Sequence, residues 1–80
     1  MYAVYVLRSL KNDKRYIGYS GKTPEERLKE HNSGSNKFTR LNKPFVLIYS
    51  ESFEEKRNAI KRERYLKSGK GREFLDNLKL

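Results

Sequence analysis

The chain has 80 residues, 19 Lys and Arg against 10 Asp and Glu, a net charge of +9, one His and no Cys. This length allows a single domain, residues 1–80, with a small core. Without Cys there are no disulfides or thiolate metal sites, and a lone His cannot build a zinc site, so any metal is a hard, oxygen-bound cation such as Mg²⁺ or Mn²⁺.

Val4-Tyr5-Val6-Leu7 reads as a strand and Arg15-Tyr16-Ile17-Gly18-Tyr19 as the next, joined by the polar, turn-rich Ser9-Leu10-Lys11-Asn12-Asp13. This is a hairpin pattern. An even register sets Tyr5 opposite Tyr16 and Ala3 opposite Gly18, with both phenols on one face beside an open floor. A cross-strand aromatic pair is also simply a stabilising device, contributing ~0.2–1 kcal/mol. Tyr2, Tyr19, Tyr49 and Tyr65 show that the chain uses tyrosine freely.

Ser20-Gly21-Lys22 is a turn, and Thr23-Pro24-Glu25-Glu26 has the grammar of a helix start, with Thr23 as cap and Glu26 three beyond it. The helix runs to about Asn32, where Ser33-Gly34-Ser35-Asn36 stops it. Arg27 and His31 lie four apart and share a face. An Arg fork suits phosphate, and His moves protons near neutral pH. The plainer alternatives are a helix pair of Arg27 with Glu26 or Glu30, and a His31 favoured by the helix dipole. Residues 33–44 form a polar loop with Lys37, Arg40 and Lys43 and no acid, from which Phe38 and Leu41 fold back onto the body.

Pro44 opens a third strand, Phe45 to Ser50, apolar on both faces as suits a central strand covered by helices. Ser52 and Glu55 give a second capping pattern for a helix over 53–67, stopped by Gly69. Gly69-Lys70-Gly71 reads as a hinge, and Arg72 to Leu80 as a short last helix with Phe74, Leu75 and Leu78 facing the sheet. The order ββαβαα predicts an α/β (α+β) sandwich, a small three-stranded, mostly antiparallel sheet flanked by helices. The longest apolar run, Phe45–Tyr49, falls far short of the ~20 residues that span a bilayer. No signal-like segment precedes the first strand, and the expectation is a cytoplasmic protein without a membrane partner.

Glu63 is four after Ala59, three after Ile60 and three before Leu66, so it projects from the helix face that meets the core. Lys61, Arg62, Arg64 and Lys67 take the other faces as solvated charges. An inward carboxylate needs compensation, from a basic side chain or from a divalent cation.

Ala3-Val4-Tyr5 followed by Tyr16-Ile17-Gly18 resembles the paired signature of the GIY-YIG nuclease superfamily, with Ala in place of the first Gly. The resemblance extends along most of the chain. The family carries an arginine at the place of Arg27, often a histidine one turn later, here His31, and a single metal-binding glutamate in a segment like Ala59–Lys67, here Glu63. The chain is most similar to small stand-alone members like the N-terminal catalytic domain of the excision nuclease UvrC. The resemblance implies metal-dependent hydrolysis of nucleic-acid phosphodiesters, in DNA repair or processing. Tyr5, Tyr16, Arg27, His31 and Glu63 are then catalytic, Glu63 holds one Mg²⁺ or Mn²⁺, and Ala3 and Gly18 shape the floor. Tyr5 is the candidate proton acceptor and Tyr16 orients water or phosphate, though the two can exchange roles. Asn77, near a late polar residue of some members, is read as exposed.

A +9 chain attracts polyanions, and nucleic acid is the commonest. Lys22, Lys37, Arg40, Lys43 and Lys70 are candidate phosphate contacts, with DNA ahead of RNA and a separate protein partner supplying targeting. The rival expectation is a non-catalytic binding module, or a subunit of a larger nucleic-acid complex, that uses its tyrosines for stacking.

Overall fold

Ala3 to Leu7 are all buried, and this run is the centre of the molecule. The structure, a computed structural model, describes residues 1–78. Strand β1 (Tyr2–Ser9) is paired antiparallel on one side with β2 (Arg15–Ser20) and on the other with β3 (Phe45–Phe53). Four helices complete the α+β fold: α1 (Pro24–Asn32), α2 (Lys37–Asn42), α3 (Lys56–Lys67) and α4 (Gly69–Asn77). The expected order is present, with α2 added inside the loop 33–44.

The sheet is apolar on both sides because both are covered. Val4 and Val6 pack with Ala59 and Leu66 of α3 and Leu75 of α4. Tyr5 and Leu7 point the other way and pack with Phe45, Tyr16, Leu28, Phe38 and Leu47. This corrects the third strand. β3 is an edge strand, and its two apolar faces reflect the two helical layers rather than a central place. It is also longer than expected, and a register shift between Val6 and Leu7 leaves Ile48 as an extra residue.

Helix caps explain the other boundaries. Thr23 Oγ1 accepts from the Glu26 backbone N–H at 3.1 Å, as its sequence position requires. α2 carries a capping box of Asn36 and Thr39, a helix start concealed in a polar stretch. The cap expected at Ser52 is absent. β3 runs through Phe53, Glu55 takes the N-cap position without a side-chain bond, and α3 begins at Lys56. The expected hinge at residues 69–71 is the first turn of α4, capped by Ser68, whose Oγ accepts from Gly71 N–H at 3.2 Å. Gly71 is packed so tightly that a Cβ there would lie 2.0 Å from the Tyr65 carbonyl oxygen. The last helix therefore starts three residues earlier than read from the sequence. It buries Leu75, half-buries Phe74, and leaves Asn77 exposed as expected. Its expected end at Leu80 lies outside the described residues.

Arg62 is not the solvated charge it was expected to be. It forms a two-point bridge to Glu51 of β3, at 2.9 and 3.0 Å, and lies over the rings of Tyr65 and Phe74. Burial raises the Glu51 pKa, but hydrogen bonds from Arg62 and Tyr49 outweigh it and hold this carboxylate below its ordinary range.

Candidate active site

The β1–β2 register differs from the expected one by two residues. Tyr5 stands opposite Gly18, Leu7 opposite Tyr16, and Ala3 opposite Ser20. A shift of two keeps every side chain on its face, so Tyr5 and Tyr16 still share one. They meet diagonally, with ring centroids 6.4 Å apart and planes 24° from parallel. The floor beside Gly18 is not open, because the Tyr5 ring occupies it. A Cβ on Gly18 would lie 2.7 Å from Tyr5 Oη and 3.3 Å from Tyr16 Cε1. Gly18 is thus required by the close approach of the phenol. Ala3 is buried two residues before Tyr5 and makes no such contact with Gly18 across the strands.

Helix α1 brings Arg27 and His31 onto the Tyr5 hydroxyl. Arg27 Nε donates to Tyr5 Oη at 3.2 Å, and Tyr5 Oη lies 3.1 Å from His31 Nε2. The second Arg27 amine is 3.4 Å from the same Nε2. Guanidinium groups only donate, so Nε2 is an acceptor and the Tyr5 proton points at it. The imidazole proton is then on Nδ1, which faces Ser35 Oγ at 3.2 Å. A turn at Gly34, with φ of 84°, carries the chain from α1 back to this position. His31 is fully buried, and burial, followed by the Arg27 charge, lowers its pKa. Burial raises the Tyr5 pKa, with Arg27 partly offsetting it. Arg27 also pairs with Glu30, as its helix spacing allows, and Lys22 holds the other oxygen of the same carboxylate.

The two tyrosines differ in access. Tyr5 is only 1 % exposed, whereas Tyr16 lines an open cleft of about 970 Å³. Tyr16 sits 4.5 Å from the His31 ring and 5.8 Å from Phe38, which lines the same cleft. Glu63 enters from α3, its side chain 15 % exposed, with Lys67 Nζ 3.4 Å from Oε2. The structure therefore forms two neighbouring groups: the buried Tyr5 and His31 interlinked with the part-exposed Arg27, which does not line the cleft, and Tyr16 with Glu63 on the cleft wall. Lys67 is a cleft residue and an ion-pair partner, not a free solvated charge.

Residues 1–76 match the GIY-YIG catalytic domain family. The chain belongs to that family. Among its relatives, this GIY-YIG chain is 43 % identical over 65 residues to the UPF0213 protein CPE1444 of Clostridium perfringens, covering 80 % of this chain and 68 % of the relative. It is 36 % identical over 66 residues to the UPF0213 protein SSP2268 of Staphylococcus saprophyticus, covering 81 % and 78 %. The solution NMR structure of the UPF0213 protein BH0048 from Bacillus halodurans superposes with a TM-score of 0.58 at 35 % identity, over 99 % of this chain and 86 % of that one.

Among the described residues of this GIY-YIG chain, no three His, Asp or Glu side chains converge on a possible metal position. The cleft carries two carboxylates, Asp13 and Glu63, the first mostly exposed on the hairpin turn and the second on α3; a hard cation held by one of them would draw its remaining ligands from water and phosphate oxygens. The cations on that cleft are Arg8, Lys14, Arg15, Lys67 and Arg72. The sequence singles out none of them as a phosphate contact: the register expected from it sets Arg8 opposite Asp13, and only the observed register sets it opposite Arg15. The expected phosphate contacts Lys22, Lys37, Arg40, Lys43 and Lys70 do not line it. Lys22 is paired with Glu30, Lys37 and Arg40 are on α2, Lys43 ends that helix, and Lys70 is in the first turn of α4.

No described helix is long and apolar enough to cross a membrane.

Proposed function

We propose that this GIY-YIG domain hydrolyses phosphodiester bonds of nucleic acid, DNA ahead of RNA, with one Mg²⁺ or Mn²⁺ held by Glu63. The observation that carries this reading is that Tyr16 and Glu63 share one open, basic cleft beside the Tyr5–Arg27–His31 cluster. The cation, when bound, stabilises charge on the phosphate and on the leaving 3′-oxygen.

The chain's own residues divide the remaining work. Tyr16, on the cleft wall, contacts the attacking water and orients it; as that oxygen bonds to phosphorus and the 3′-oxygen leaves, the proton the water loses passes to solvent in the open cleft, from which the 3′-oxygen is protonated. Tyr5 is buried and holds Arg27 and His31 by hydrogen bonds, so Tyr16 keeps its expected role on the water and Tyr5 gives up that of proton acceptor. Arg27 turns from Glu30 to the scissile phosphate as substrate arrives, and Glu30 keeps a partner in Lys22 throughout. His31, neutral and with Nε2 free of a proton, receives the Tyr5 hydrogen bond and fixes that phenol's orientation.

The setting is cytoplasmic DNA repair or processing, with target choice supplied by a protein partner, as the likeness to the UvrC catalytic domain suggests. The Glu63–Lys67 pair supports a second reading, a binding module in which Glu63 is merely a satisfied ion. A panel of single-stranded, duplex and branched DNA and structured RNA, incubated with Mg²⁺, Mn²⁺ or EDTA, tests the proposal. Cutting of any substrate that depends on the metal supports hydrolysis. Salt-sensitive binding to all of them without cutting supports the module.

A further inference from the structure

Arg8 and Arg15 stand directly opposite each other on β1 and β2. Both side chains therefore leave the sheet on the side that carries α3 and α4. Like charges in this relation repel. Arg15 is compensated by Asp76 at 2.7 Å. Arg8, its side chain 35 % exposed, has a looser pair: Asp13, itself 89 % exposed, lies 3.8 Å from its Nε. Arg8 Nε is buried, and among the described residues it is the one buried side-chain nitrogen or oxygen without a hydrogen-bond partner.

Arg8 thus pairs a buried Nε that meets no acceptor with a part-exposed fork, and a second arginine stands opposite it. The same cleft adds Lys14, Lys67 and Arg72. An anion with several acceptor oxygens suits such a cluster, and a guanidinium fork matches phosphate in two-point geometry. We propose that Arg8, with Arg15 and Arg72, forms a phosphate subsite on the α3–α4 side of the cleft, holding a backbone phosphate beside the one to be cleaved. This rests on the nucleic-acid reading above. It assigns substrate positioning to residues that face away from the tyrosine cluster. The subsite carries no base-reading group and acts on the backbone alone.

The test is Arg8→Met, which removes the charge and keeps much of the aliphatic stem. Binding of a short fluorescein-labelled DNA duplex is measured by anisotropy in EDTA over a salt series, well below the melting temperature of every variant. Lys61→Met, an exposed position on α3 outside the cleft, is the control. Arg8→Met is expected to bind several-fold more weakly, with a slope of log K against log salt shallower by about 0.9. A slope unchanged from the native chain, or changed equally by Lys61→Met, overturns the subsite. Because EDTA removes cleavage, the two readings fail separately. A native chain that never cuts but shows the Arg8 effect defeats the nuclease and keeps the subsite. A cutting chain with an unchanged slope does the reverse.

Discussion

At the scale of single residues, the site depends on how closely Tyr5 lies over Gly18. A methyl group at Gly18 meets the phenol at 2.7 Å, and the ring is wedged in the core with little room to retreat. Gly18→Ala is expected to cost about 1–3 kcal/mol, the range for overpacking a filled interior, read as a lower urea midpoint at unchanged m-value. His31 gives a pH signature. Its folded pKa is depressed, so the unfolded chain takes up a proton near its ordinary value of about 6.5 that the folded chain refuses. Stability is therefore fullest above that pH and falls as pH drops through the folded pKa. Urea unfolding at about pH 7.5 and about pH 5.5 is expected to show this loss, and His31→Gln to flatten it. Tyr5 has the opposite sense. Its raised pKa keeps its contribution intact below about pH 10, and the contribution is lost as pH rises through the folded value.

At the scale of elements, the sequence was most legible where pattern and cap agree. The hairpin and α1 follow from alternation and from Thr23-Pro24, and Arg27 and His31 were placed together by helical spacing alone. Glu63 was found because it interrupts an apolar stripe. Register was less legible, since shifts of two preserve the faces and only the fit of the Tyr5 ring over Gly18 decides between them. α2 is hidden in the sequence because its apolar content is slight and its start signal, Asn36 with Thr39, resembles any polar turn. Glycines 69 and 71 read as a hinge, yet Gly71 is small because α4 touches the backbone of α3. Its cap, Ser68, is accordingly a structural residue. Ser68→Ala is expected to lower stability by about 0.5–2 kcal/mol without weakening DNA binding, measured by denaturant melts beside anisotropy.

At the scale of the whole molecule, the excess of nine positive charges is focused where five cations and two carboxylates line one cleft. The cations chosen from sequence were runs in loops, whereas those on the cleft come from β1, β2, α3, α4 and the hairpin turn. Only the fold gathers them, so composition could indicate a polyanion but not where it lies. Binding is expected to weaken steeply with salt, and an isotherm unchanged between low and high salt contradicts a backbone-reading surface. The central claim is that Glu63 works as the single carboxylate ligand of a metal on this cleft. Its most direct test is the single-turnover cleavage rate of the native chain beside Glu63→Gln, each in Mg²⁺ and in EDTA, on whichever substrate the native chain cuts. Native cutting that requires Mg²⁺ and falls by at least roughly a hundredfold in Glu63→Gln, with DNA binding in EDTA retained, is the predicted result. Equal rates in the two proteins would leave Glu63 as the ion-pair partner of Lys67 and place the chemistry elsewhere.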